Sequence, residues 1–189
     1  SLEDEISKAL QEKVPSVPLE QARSDGLLTD IEPAAPYIAQ VNQLMDLSVL
    51  RSSGLTVLVD AMYGAGVGYL PGFLGGGKVR CTELHGELNP AFPGISQPEP
   101  VAHNLLALSE AVVANRADVG IALDGDADRV GLVDEKGCFI STLHTFALLA
   151  LYFLEVKGLR GPLVKSITMS SMVYRLGELY HVPVYETPV

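Results

Sequence analysis

The sequence predicts an α/β protein, with a mixed sheet sandwiched by helices in a central unit and the beginning of a similar unit after it. Three observations carry that reading. Short β-branched or apolar runs alternate with helical stretches from Tyr37 onward, and glycine-bearing turns separate them. The run Val119 to Leu123 is apolar without a break. A strand covered on both faces needs such a run, whereas a half-solvated strand alternates.

The elements follow in order. Leu2, Ile6, Ala9 and Leu10 recur at helical spacing among charges, and acids crowd the first turn, where the helix dipole favours them. An amphipathic helix therefore opens the chain. Pro15 to Pro36 is acidic and weakly periodic and reads as a connector between units. Tyr37 to Leu50 is helical, Thr56 to Asp60 is a strand ending on a carboxylate, and Gly64-Ala65-Gly66-Val67-Gly68 is the turn it feeds. Those glycines lack the full G-x-G-x-x-G spacing of a nucleotide loop, so a tight strand-to-helix turn is the better reading. Gly75-Gly76-Gly77, with no Lys-Ser/Thr after it, reads as a helix stop.

Val79 to Leu84 forms a second strand. His85 to Pro100 holds four prolines and two glycines and must be a long surface loop, a kind that is often functional. Pro100 suits the start of a helix from Val101 to Asn115. After the strand Val119 to Leu123, Val130 to Val133 and Cys138 to Ile140 pair across the turn Asp134-Glu135-Lys136-Gly137, and Thr142 to Val156 is helical. The apolar tract Leu143 to Val156 contains His144 and Glu155 and falls short of the roughly 20 residues that span a bilayer, so no membrane partner is expected. These elements make residues 37–157 one α/β domain. Past Gly158 the chain starts again with a strand Leu163 to Ile167, a serine-rich turn, a helix Met172 to Tyr180 and a strand Val182 to Tyr185. One strand-helix-strand cannot cover both faces of its sheet, so 158–189 reads as the truncated start of another unit.

The formal net charge is -10, from 23 acidic and 13 basic residues, and the basic ones form no stripe. Nucleic acid is thereby excluded as a partner. An anionic small ligand would need a cation and a locally placed Arg or Lys. Cys81 and Cys138 are distant in sequence and lie in apolar, strand-like surroundings, which suggests buried thiols and a reducing, cytoplasmic setting. The N-terminus has no secretory pattern. His85 and His103 lack a second His or Cys at metal spacing, so packing or capping is expected of them.

The chemistry concentrates in Asp124-Gly125-Asp126-Ala127-Asp128-Arg129. Three carboxylates at i, i+2 and i+4 directly after a strand repel one another unless a cation neutralises them. Oxygen-only ligands favour Mg²⁺, Mn²⁺ or Ca²⁺ over zinc. A solvated acidic turn would need no Arg129, whereas an anion site gains a bidentate ligand from it. Asp124, Asp126 and Asp128 also match the first ligand positions of a calcium-binding EF-hand, with Glu135 at the twelfth; but Arg129 stands where that loop needs Gly, and the flanks read as strands. A non-catalytic calcium module is thus one alternative. A metal-dependent phosphatase or phosphotransferase with an Asp nucleophile is another, though Arg129 and Val130 follow the last carboxylate instead of the residues such a loop requires.

Ala117 to Gly137, ADVGIALDGDADRVGLVDEKG, strongly resembles the metal loop of the α-D-phosphohexomutases, which include phosphoglucomutase and phosphomannomutase. Val57 to Gly66 is similar to the first strand and turn of that family's second domain, Phe92-Pro93-Gly94 and Pro98-Glu99-Pro100 to its proline-rich loop. Ser170-Ser171-Met172 and Glu186-Thr187-Pro188-Val189 are similar to the start of its third domain. The resemblance covers roughly residues 37 to 189. It implies a helix-sheet-helix sandwich of the domain II type, with residues 1–36 a terminal helix and connector from the preceding domain.

It also implies that Asp124, Asp126 and Asp128 bind Mg²⁺ and that Arg129 contacts phosphate or substrate. Lys165 is a second candidate for a phosphate, beside Ser170 and Ser171, and Ser170 could equally cap the helix after it. The reaction implied interconverts hexose 1-phosphate and hexose 6-phosphate, of glucose or mannose, through a phosphoserine enzyme and a bisphosphate intermediate. No Ser-His-Asn-Pro-like loop, specificity loop or C-terminal phosphate-binding domain is found in the sequence. The expectation is therefore an inactive fragment whose partners are the missing domains of the same chain.

Overall fold

Acids at Glu3, Asp4 and Glu5 and a base at Lys8 complement the dipole of α1 (Leu2–Ala9). The computed structural model describes residues 2–10 and 16–189, which divide into the units Ser1–Leu44 and Met45–Val189. Two more helices complete the first unit, α2 (Leu19–Ser24) and α3 (Ala34–Leu44), and none of the three buries a residue. The stretch read as a connector thus contains a helix. Pro18 precedes α2 with φ -56, and Gly26, at φ 70, closes it as the amide of Leu27 bonds back to the Ala22 carbonyl. Punctuation makes this helix, not periodicity. Residues 11–15, including Pro15, lie outside the described residues.

Tyr37 to Leu50, expected as one helix, is divided. α3 ends at Leu44, and α4 (Leu47–Ser52) begins after Asp46, whose Oδ1 accepts the Ser48 amide at 3.0 Å. An N-cap aspartate prefers to start a helix over sitting inside one.

The second unit is built on a mixed sheet of β1 (Thr56–Asp60), β2 (Arg80–Leu84), β3 (Val119–Leu123), β4 (Val130–Asp134) and β5 (Phe139–Ile140), in the order β2-β1-β3-β4-β5. β2, β1 and β3 run parallel and β4 and β5 antiparallel. α5 (Tyr69–Leu74) connects β1 to β2, and α6 (Leu106–Asn115) connects β2 to β3. Leu58, Ala122 and Val133 meet Leu105, Leu108 and Val112 on one face, while Val57 and Val59 meet Leu74 on the other. A Cβ on Gly120 would stand 2.8 Å from Val112 and 3.1 Å from Leu108, so α6 reaches the sheet only because β3 carries glycine there. α7 (Thr142–Glu155), N-capped by Ser141, packs on β4.

Two expectations change here. The helix foreseen from Val101 starts at Leu106, because Ala102–Asn104 form a 3-10 turn in which Asn104 Nδ2 donates to the carbonyls of Gln97 and Glu99 at 2.7 and 2.9 Å. Cys138, expected to be buried in a strand, is exposed in the turn before β5, with its amide donating to Asp134 Oδ1. The aspartate fixes this turn and pushes the thiol outward. Cys81 lies half-buried in β2, where burial and then the Glu83 charge push its thiol up. Among the described residues no helix is long and apolar enough to cross a membrane.

β6 (Leu163–Ser166) and β7 (Val184–Thr187) form a separate parallel pair joined by α8 (Met172–Tyr180). β7 begins two residues later than expected, since His181 takes a left-handed cap at φ 54 and Val182 still bonds back to Gly177. Lys165 of β6 is buried, and its Nζ meets Glu186 Oε2 at 2.5 Å while lying 4.9 Å from the centre of the Tyr174 ring. The Tyr174 hydroxyl donates to the same oxygen at 2.7 Å. Lys165 first, then Tyr174, hold the Glu186 carboxyl below its usual range, and Glu186 holds the Lys165 ammonium above its own.

Two outcomes follow from this packing. Leu108→Ala should cost about 2–5 kcal/mol of stability in chemical denaturation, because a fully buried side chain leaves a cavity between α6 and the sheet. The Lys165–Glu186 pair contributes in full above the unfolded glutamate value of about 4.3 and below the unfolded lysine value of about 10.4. The Glu186 contribution is lost as pH falls through its lower folded value, and that of Lys165 as pH rises through its higher one. Lys165→Met should therefore lower the melting temperature at pH 7 and have a shrinking effect as pH falls below about 4, measured by thermal denaturation across pH.

Candidate metal and phosphate site

β3 ends at Leu123, and the chain turns back into β4 through Asp124 to Arg129, with Ala127 in the left-handed region at φ 63. This loop lies at the C-terminal edge of the parallel strands, where open α/β sheets place their ligands. Neighbouring loops clamp it. The Gly125 amide donates to the Pro98 carbonyl at 3.0 Å, and the Gly125 carbonyl accepts from Ala65 at 2.9 Å. A Cβ on Gly64 would fall 2.4 Å from that carbonyl, so the glycine turn after β1 exists for this approach.

Asp124 is wholly buried, and both of its oxygens are hydrogen-bonded. Its Oδ1 accepts the amides of Asp128 and Arg129 at 2.9 and 3.0 Å, and its Oδ2 accepts Arg129 Nε at 2.6 Å. Burial alone would raise its carboxyl; the donors from Arg129 and its interaction with Asp128 outweigh that and hold it low. Asp126 and Asp128 are exposed, and one oxygen from each of the three aspartates lies within 4.8 Å of the others. Asp128 is held up, first by its interaction with the Asp124 carboxylate and then by the charge of Asp126. A cation at this position would relieve that repulsion.

Arg129 is half-exposed and held by carboxylates on two sides. Its Nη1 meets Glu99 at 3.0 Å and its Nε lies 3.6 Å from Asp128, in addition to the bond to Asp124. These pairings, the Asp124 bond foremost, raise its already high pKa further. Glu99 was missed by sequence reasoning, although a carboxylate fixed between Pro98 and Pro100 was a signal for it. Glu135, which the EF-hand count needs beside the three aspartates, lies beyond the far end of β4, about 17 Å along a strand of five residues.

The other candidates stand elsewhere. Lys165 is in the two-stranded sheet, paired with Glu186. Ser170 is buried, and its Oγ accepts the Met172 amide at 3.2 Å, a capping contact, while Ser171 makes no side-chain cap bond. His103 sits in the 3-10 turn. His85, just past β2, places its Nδ1 2.8 Å from Oδ1 of the buried Asp60.

The chain has relatives among known proteins. Residues 35–137 match the family described as phosphoglucomutase/phosphomannomutase, alpha/beta/alpha domain II. A Methanosarcina barkeri protein assigned as a phosphoglucosamine mutase is 39% identical over 71% of this chain and 30% of its own length. A Thermococcus kodakarensis phosphoglucomutase/phosphomannomutase is 36% identical over 73% of this chain and 30% of its own. The crystal structure of a Thermus thermophilus protein assigned as a phosphomannomutase superposes with a TM-score of 0.77 and 33% identity, covering 84% of this chain and 37% of that one. The chain thus spans about a third of the length of these relatives. Sequence and fold agree, and the chain belongs to the phosphoglucomutase/phosphomannomutase family.

Proposed function

We propose that this chain is the metal-holding portion of a phosphohexose mutase, with Mg²⁺ carried by Asp124, Asp126 and Asp128 and a phosphoryl group met by Arg129. The observation behind this reading is the convergence of three carboxylate oxygens within 4.8 Å, one side buried and two exposed. An all-oxygen set of three ligands with an open side suits Mg²⁺, which keeps several positions for water or phosphate oxygens. When bound there, Mg²⁺ supplies positive charge against the negative charge of a phosphoryl group in transfer.

The chain's own residues orient and bind. Asp124 and Glu99 fix the guanidinium of Arg129, and its remaining N–H groups are free to meet phosphoryl oxygens from the half-exposed side. Lys165 can meet a phosphate only by exchanging Glu186 for it. In the whole protein, a phosphoserine on another domain of the same chain would exchange its phosphoryl group with hexose 1- and 6-phosphates, of glucose or mannose, by way of the bisphosphate. Such a reaction on sugar phosphates fits a cytoplasmic enzyme.

Calorimetry tests the metal assignment. The chain should bind Mg²⁺ weakly, and Asp126→Asn, an exposed change that touches no core residue, should abolish the signal; undiminished binding, or a tight preference for Ca²⁺, would sink the assignment. Gly64→Ala should weaken Mg²⁺ binding by about tenfold or more, as losing the support of a metal ligand does, because its Cβ displaces the Gly125 carbonyl. An unchanged affinity would mean that the β1 turn does not position the loop.

A further inference from the structure

Asp60 ends β1 beside Ala122 of β3 on one side and Leu84 of β2 on the other. It is wholly buried, and its Oδ1 accepts the Met62 amide at 2.9 Å and meets His85 Nδ1 at 2.8 Å. Its Oδ2 has no hydrogen-bond partner, the one such buried side-chain atom among the described residues. Asparagine would close the same turn onto Met62 without a charge. A buried carboxyl group with a bare oxygen is costly unless its other oxygen is well partnered, and the His85 ring is the side chain that meets it.

The ring is held from other directions too. The Tyr63 ring packs against it at a 38° tilt with centroids 4.6 Å apart, and the Tyr63 amide donates to the His85 carbonyl at 3.0 Å. Met62, Tyr63 and His85 all sit in the left-handed region, at φ 46, 57 and 47. Side chains rarely accept that strain, and His85 accepts it in order to face Asp60. With Nδ1 engaged, the remaining polar atom of the ring is Nε2, which has no partner among the described residues and is not among the buried unpartnered atoms, so it reaches solvent. His85 lies two strands from the aspartate loop along the same C-terminal edge, about 10 Å at the usual strand spacing.

We infer that Asp60 and His85 form a second anion contact of this site, in which Asp60 accepts from Nδ1–H and orients the ring, binding of the anion is accompanied by uptake of one proton at Nε2, and the resulting Nε2–H of His85 donates to a phosphoryl oxygen of a sugar phosphate. The inference rests on the sugar-phosphate reading above. It answers a shortage of positive charge: Arg129 is shared among Asp124, Glu99 and Asp128, so an anionic substrate on this rim needs another donor. His85 is the contact residue and Asp60 the positioning residue.

Inorganic phosphate is the probe, titrated into the 189-residue chain without divalent cation and followed by NMR of the histidine rings. The His85 ring signals should shift saturably while those of His103, His144 and His181 do not follow. His85→Asn, whose side chain tolerates the left-handed backbone, should weaken phosphate binding about tenfold, the loss of one charge-assisted hydrogen bond. Asp60→Asn should weaken it similarly and diminish the phosphate-dependent shift of the His85 ring signals, a change that a merely structural Asp60 would not give. Mg²⁺ affinity should be unchanged in His85→Asn, and Asp126→Asn should lose Mg²⁺ yet keep the phosphate response, so the two readings fail on separate titrations. Ring signals of His85 that stay fixed through the phosphate titration overturn the inference, a result read on the unaltered chain; so does full phosphate affinity in His85→Asn.

Discussion

The burial of Asp124 is the constraint on which the rest of the site depends. A carboxylate taken out of water costs several kcal/mol unless hydrogen bonds replace its hydration, and each bond to a charged group returns about 1.5–3 kcal/mol. Two backbone amides and the Arg129 side chain supply those bonds, and all three come from the loop that Asp124 itself begins. Satisfying one buried charge therefore folds the loop, places Asp126 and Asp128 at its rim and fixes the arginine. Local electrostatics shapes the site before any ligand arrives.

That solution is possible only because other loops approach without side chains in the way. Gly64 and Gly125 meet almost backbone to backbone, and Pro98 closes the other side. The same economy appears in the core, where Gly120 lets α6 settle against β3. Rigid strands, close helices and glycine contacts hold the rim to a narrow geometry, which is what precise placement of a bound group requires.

The parts of this arrangement that follow local rules were legible in the sequence. Thr56 to Asp60, Val119 to Leu123 and Met172 to Tyr180 appear at the predicted bounds, because an unbroken apolar run or a strong amphipathic period fixes them. The division at Asp46, the late start of α6 and the exposed Cys138 depend on single side-chain bonds, from Ser48 to Asp46, from Asn104 to Gln97 and Glu99, and from Cys138 to Asp134. Periodicity has no access to such bonds. The three aspartates and Arg129 could be read as a group, since they are contiguous. Glu99, for all the signal of its flanking prolines, and Asp60 could not be matched to their partners, which are 30 and 25 residues away and are brought together only by the fold.

Both buried carboxylates on this edge face the same physical problem and reach related solutions. Asp124 ends in a guanidinium and Asp60 in an imidazole, each a partly exposed nitrogen group anchored to a hidden carboxyl. For a chain of net charge -10, free surface lysines would be neutralised by the surrounding acids and would wander in solvent. A cation tethered to a buried carboxylate keeps its orientation, and its own charge is already balanced inside the protein. Its outward N–H groups can then be offered to an anion in a fixed direction, so an acidic protein can present such donors without a basic surface.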